Sequence, residues 1–269
     1  MNTSLWLLVG AQIFSLAVGI YSYKKAAISA SGFAALILIS SLYIWMEELA
    51  FLCAIFAMFA SSTLLTKYKK FKKKEVNKIG AKEGPRDFVQ ALANLGIATG
   101  IMLLNYFFPH PAFIAAFIGT VAAANADSWA SEIGGLSKKK PMLITTFEPV
   151  EKGISGGVTM MGSLGGVAGS FFIVAITIGI MLLLGFHGNI LLLFIVSLFS
   201  GIFGFFMDSY LGAWFQGLYK DEVSLQITEN ASGQKQLIKG YSWVTNDMIN
   251  LFATILGAML AAILFFMAS

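Results

Sequence analysis

The chain has 269 residues, of which 57% are hydrophobic and only 12% charged, about half the charge of a soluble domain. A mean hydropathy of +0.78 excludes an ordinary soluble fold. The net charge of +4 sits between apolar stretches and is no nucleic-acid signal. Stretches long enough to cross a bilayer fall at about 4–22, 26–45, 48–66, 88–108, 112–128, 157–185, 188–208 and 246–267. The fold expected is all-α: one polytopic integral-membrane helical bundle over residues 1–269, with about eight transmembrane helices. The first stretch lacks a basic n-region and a small-residue cleavage site, so it reads as a retained span.

The first three stretches, to residue 66, read as scaffold and lipid contact, with Trp45–Glu48 as a turn at the outer interface and Cys53 as apolar packing. Alternate connections carry Lys24 and Lys25, nine basic residues from Lys67 to Arg86, Lys138–Lys140 with Lys152, and Lys220, Lys235 and Lys239. These are all 18 Lys and Arg of the chain. Cytosolic loops concentrate such residues, so both termini are expected outside and the basic loops in the cytosol, most simply at a cell membrane. The lysine run after Lys67 would face anionic headgroups.

From Asp87 the character changes. Asp87, Gln90 and Asn94 share one helix face. Asn125, Asp127, Ser128, Ser131 and Glu132 crowd the end of the fifth stretch. A glycine segment, Lys152-Gly153-Ile154-Ser155-Gly156-Gly157, precedes the sixth, whose Gly162, Gly165, Gly166 and Gly169 permit close packing. Asp208 ends the seventh, and Asn246, Asp247 and Asn250 open the eighth. The polar segment from 220 to 241 reads as a short hairpin or a partly ordered loop. Trp129, Trp214 and Trp243 read as interface anchors.

Carboxylates at the ends of apolar helices are costly and need a reason. Asp87 and Asp247 stand at helix N-termini, where capping is a sufficient one. Asp127 and Asp208 are expected toward C-termini, where it is not. Carboxylates with amides suit a hard cation such as Mg²⁺, which brings phosphate oxygens with it. Gly153, Gly156 and Gly157 can turn backbone N–H groups toward an anion. The segment is no Walker A loop, since no Gly-Lys-Ser/Thr follows, and tight packing is the competing reading. His110 and His187 fall on outer turns, which leaves Ser128 and Ser131 without a base.

The blocks RDFVQALANLGIATG, ANADSWASEIG, EKGISGGVT and DSYLGAWFQ, with Asn246-Asp247 before MIN, resemble in order the integral-membrane domain of unknown function 92 family over about 80–260. That family includes transmembrane protein 19 and phytyl-phosphate kinases. More distantly, NADSWASEIG with its basic loop and glycine segment is similar to dolichol and phytol kinases and phosphatidate cytidylyltransferases, without their Lys-Thr-x-Glu-Gly block. The resemblance implies phosphoryl transfer from a nucleoside triphosphate, CTP among the candidates, to an isoprenyl monophosphate such as phytyl or geranylgeranyl phosphate at the cytosolic face. Asp127, Asp208, Asp87 and Asp247 would then surround Mg²⁺. Asn94, Asn125, Asn246, Asn250 and Glu132 would orient ligands, and Lys152, Gly153, Ser155, Gly156 and Gly157 would hold the nucleotide phosphates. The rival class is a transporter of a cation or phosphorylated lipid, which would require polar residues through the outer halves of the helices.

Overall fold

The computed structural model describes residues 4–72, 84–222, 227–233 and 235–269. Eight helices account for most of them: α1 Leu5–Lys24, α2 Ala30–Trp45, α3 Leu49–Lys72, α4 Phe88–Phe107, α5 Pro111–Gly134, α6 Met160–Leu183, α7 Ile190–Phe215 and α8 Asn246–Ala268. Seven are long and apolar enough to cross a membrane. The eighth, α2, has 16 residues and spans about 24 Å. The lysine run expected against headgroups lies largely outside the described residues.

Local chemistry sets where these helices begin. Ser4, Ser29, Asp87, Thr159, Asn189 and Thr245 each accept a first-turn N–H, which satisfies a donor that otherwise has no partner. Pro111 opens α5, where a missing N–H costs nothing. Between α2 and α3, Glu47 adopts φ 61° and the Glu48 N–H closes the turn on Tyr43 O. Burial raises the pKa of Glu48 above the usual carboxylate value.

The core is organised around α5, which packs against α3, α4, α6, α7 and α8. Its residues from Ala115 to Ala126 are all buried. Small side chains let its neighbours approach. A Cβ placed on Gly204 of α7 would lie 2.6 Å from Ala123 Cβ. Gly162, Gly165 and Gly169 of α6 likewise meet Ala130, Ile133 and Trp129 of α5. Trp6 and Leu183, 84% and 87% exposed, belong to the apolar outer surface expected against lipid. Cys53, read as apolar packing, lies on that exposed surface too.

Two small sheets decorate one end of the bundle. Strands β1 (Met142–Leu143) and β2 (Gly157–Val158) pair between α5 and α6. Strands β3 (Leu218–Asp221), β4 (Ile227–Thr228) and β5 (Lys235–Lys239) form a sheet of order β4-β3-β5 between α7 and α8. The segment from 220 to 241 is thus more than a hairpin. The same end holds the α1–α2 turn and the residues before α4, joined by the Ile28–Arg86 bridge. The described residues of all four basic connections therefore gather at one end.

Two helices differ from expectation in a way that matters. α5 runs to Gly134 and α7 to Phe215, so Asp127 and Asp208 each lie seven residues inside a helix, about 10 Å from its end. Polarity did not end α5 because its polar residues face neighbours rather than water. Asn125 Nδ2 donates to Gly169 O (2.8 Å) and Thr66 Oγ1 to Glu132 Oε1 (2.8 Å).

Candidate functional site

Four helices converge on a small cavity of about 10 Å³ lined by Asn94 of α4, Asp127 of α5, Asp208 and Gly204 of α7, and Asn250 and Thr254 of α8. Space of that order suits one water or one bare ion. Among the described residues, Asp208 Oδ2 and Asn250 Oδ1 are buried without a hydrogen-bond partner. Leaving such oxygens unpaired costs on the order of 1–3 kcal/mol each, more for a charged group. Two carboxylates and an amide oxygen facing one small space form a hard-oxygen donor set.

The sequence expectation of four aspartates around one metal is not met. Among the described residues, no three His, Cys, Asp or Glu side chains converge on one point. Asp87 caps α4, accepting the Gln90 N–H at 3.0 Å, and lines a different cavity. Asp247 lies in the first turn of α8, whose cap is Thr245, and lines neither space. Asn246 stands beside it outside both. The reason is depth: Asn250 lies one turn further into the bundle, where the cavity is.

Asn125, expected to orient a ligand, is engaged elsewhere. Its Oδ1 accepts from Ser61 Oγ (3.2 Å) while its Nδ2 reaches Gly169, tying α3, α5 and α6 together. Trp129, read as an interface anchor, donates from Nε1 to Ser61 Oγ (3.2 Å) and stacks on Phe172. Glu132 faces α3 and draws the Arg86 guanidinium electrostatically.

A second, larger cavity of about 120 Å³ opens between α2, α3 and α4. Its walls are apolar, including Leu36, Ile39, Ile55, Phe56, Phe59 and Leu95. Its polar residues are mostly Arg86, Asp87, Gln90 and Asn94 at the start of α4, with Ser128 of α5. Asn94 borders both cavities. Asp87, Gln90 and Asn94, which share one helix face, line this cavity together with residues of α2 and α3. Burial lowers the pKa of Arg86 from its ordinary value, and Glu132 opposes that shift.

The glycine segment lies beside the C-terminal half of α7. Gly156, at φ +81°, packs within 2.7 Å of Ala213 Cα if given a Cβ, so it serves close approach as well as the turn. Gly153 also has positive φ, 97°, and Gly157 donates its N–H to Ile154 O. The Ser155 N–H points at an anion, as the motif led one to expect, but that anion is Glu229 Oε1 at 2.7 Å. Gln216 bridges the pair, donating from Nε2 to Glu229 Oε2 (2.8 Å) and accepting from Ser155 Oγ (2.9 Å). Lys152 Nζ donates to Ser137 O and so braces the loop between α5 and β1. Glu229 also lies close enough to act electrostatically on Asp208. Glu229 had no sequence signal, being one polar residue among several in a polar loop, and Gln216 closes the DSYLGAWFQ block without having been given a role.

Comparison with known proteins is consistent with this architecture. Protein PGR of Arabidopsis thaliana is 29% identical over 95% of this chain and 95% of its own. An uncharacterized membrane protein of Methanocaldococcus jannaschii is 33% identical over 55% of this chain and 50% of its own. One from a Synechocystis strain is 28% identical over 64% of this chain and 54% of its own. No solved structure matches. The sequence profile of the integral membrane protein DUF92 family matches residues 13–258, and the chain belongs to that family.

Proposed function

We propose that this membrane protein transfers the γ-phosphoryl group of a nucleoside triphosphate to an isoprenyl monophosphate, with Mg²⁺, at the cytosolic face. The observation that carries the reading is the pairing of Asp127 with Asp208 on one small cavity where Asp208 Oδ2 and Asn250 Oδ1 have no partner among the described residues. Mg²⁺ is commonly held by one or two carboxylates plus substrate phosphates, so these residues fit it without a third acid. When bound, it would neutralise charge on the transferring group. Asp127 and Asp208 would hold it from two helices, with Asn250 and Asn94 supplying amide groups around it.

In the reaction, an oxygen of the lipid phosphate forms a bond to the γ-phosphorus. The bond from that phosphorus to the β–γ bridging oxygen breaks, and the nucleoside diphosphate leaves with the electron pair. The attacking phosphate is already ionised, so the chain needs no strong general base. That agrees with His110 being the N-cap of α5, at the end of the bundle away from the basic loops. The Ser155 N–H would meet the nucleotide phosphates once Glu229 gives way, and Lys152 would add a cation.

Transport is supported less well. Thr120, Thr177 and Thr99 donate to carbonyls of their own helices, and Ser170 and Ser197 donate to carbonyls of neighbouring ones. Among the described residues no carboxylate lines the small cavity besides the acidic pair. The test is purified protein in detergent with geranylgeranyl or phytyl phosphate, Mg²⁺ and each nucleoside triphosphate in turn. Diphosphate product that disappears in Asp127→Asn and Asp208→Asn supports the kinase. No product with any nucleotide, together with ion-coupled uptake in liposomes, overturns it.

A further inference from the structure

The larger cavity has a shape that the acidic pair does not explain. It follows α2 from Gly32 to Ser40, about 12 Å along that helix. Over most of that length its walls are hydrocarbon. Among the described residues its one cationic group, Arg86, stands at the end where the basic loops gather, and Asn94 connects it to the acidic cavity. A slot that is apolar along its length and charged at one end suits an amphiphile with one chain and one anionic head.

Arg86 is built into that end. Its N–H donates to Ala27 O at 3.0 Å, and its carbonyl accepts the Ser29 N–H at 2.9 Å. Gly32 lets the Arg86 carbonyl press against α2, where a Cβ would collide with it. The guanidinium lies 5.5 Å from the Phe59 ring centroid. Among the described residues its hydrogen bonding is one long contact, Nη1 to Thr63 Oγ1 at 3.5 Å. A guanidinium has five N–H donors in a fork that matches phosphate oxygens. Most of that capacity is left for a ligand, and Gln90 and Ser128 border the same space.

We propose that the slot between α2, α3 and α4 binds the chain of a single-chain lipid monophosphate, with Arg86 reading the phosphate. This rests on the kinase reading for the identity of the head and extends it by assigning where the acceptor lies. The chain enters between α2 and α3, and the phosphate stops at Arg86. Asn94 then lies between it and Asp127 and Asp208.

The test is equilibrium binding of tritiated geranylgeranyl phosphate and of geranylgeraniol to the full-length protein in detergent, without nucleotide. Leu36→Trp and Ala91→Leu fill the slot from opposite walls, so one remains informative if the other fails to fold. Each is scored only if it elutes as a single species on gel filtration. We expect one geranylgeranyl phosphate per chain, weakened about tenfold or more by either filling variant. Arg86→Gln should weaken the phosphate about tenfold, the effect of losing a charge-assisted contact, and change geranylgeraniol less than about twofold; Arg86→Lys should recover part of the loss. Wild-type binding in the folded filling variants overturns the slot. Equal loss of phosphate and alcohol in Arg86→Gln overturns the role of Arg86. Displacement by an equal concentration of two-chain phosphatidic acid overturns the single-chain assignment. If binding behaves as expected but no nucleotide yields product, the kinase reading fails and the slot stands. If product forms and the filling variants keep wild-type KM, the slot fails and the kinase reading stands.

Discussion

The two cavities of this bundle differ in how their walls are made. The smaller is enclosed by α4, α5, α7 and α8, packed closely through residues such as Gly204 and Ala123, and carries two carboxylates. The larger lies between α2, α3 and α4 and is walled by bulky aliphatic and aromatic side chains. Close packing holds a few polar atoms in a fixed geometry, which suits charge and chemistry. Loose packing of large side chains leaves a volume without direction, which suits a chain. α4 belongs to both and turns one polar face toward each through Asn94.

The comparison breaks most sharply at the acidic pair. Asp127→Asn or Asp208→Asn should each lower product formation by about a thousandfold, the scale of losing a charge-stabilising group in a dry site. Chelation of Mg²⁺ should do the same to the native protein. Asp247→Asn, outside both cavities, should keep most of its activity. Equal losses in all three would mean that the smaller cavity has no special part. Next in size is packing. Gly204→Val would force a side chain against Ala123 and Ala253, an overpacking that costs about 1–3 kcal/mol. Its melting temperature in detergent should fall, and the cavity should close with it. A substitution of Gly10, which has nothing within 4 Å, should leave the melting temperature nearly unchanged.

What could be read in the sequence follows the same division. Asp127, Asp208 and Asn250 were legible because a carboxylate or amide inside an apolar helix is expensive and stands out. Asp87 and Asp247 stood out equally, yet one caps α4 and the other lies a turn short of the cavity. How far along a helix a pocket opens is decided by neighbours far off in sequence. The larger cavity was not legible. Leu36, Ile55 and Phe56 are the residue types that also face lipid, so composition cannot separate a binding wall from an outer surface. Asn125 carried the same signal as Asp127 but serves to join three helices. Asn125→Ala should therefore leave nucleotide KM alone and lower stability by about 1 kcal/mol, the usual worth of a polar contact between membrane helices. A rise in KM without loss of melting temperature would return Asn125 to the reacting centre.

The smallest effect concerns the glycine segment, which belongs wholly to neither cavity. Its Ser155 N–H is satisfied by Glu229, a residue 74 positions later. A carboxylate on an N–H that would otherwise meet phosphate acts as a competitor. The nucleotide must displace it and overcome its repulsion. Glu229→Gln keeps the size and the hydrogen bond from Gln216 but turns its NH2 toward the Ser155 N–H, so it removes the charge and the competing acceptor together. Because Glu229 is partly exposed, solvent screens much of the effect. Nucleotide KM should fall by about threefold with kcat unchanged, and the gain should shrink as ionic strength rises. If Glu229 instead serves only to hold β4 against the loop, the variant should raise KM or leave it unchanged while the melting temperature drops. The direction of the KM change therefore separates a competitor from a brace, even though either role rests on the same two hydrogen bonds.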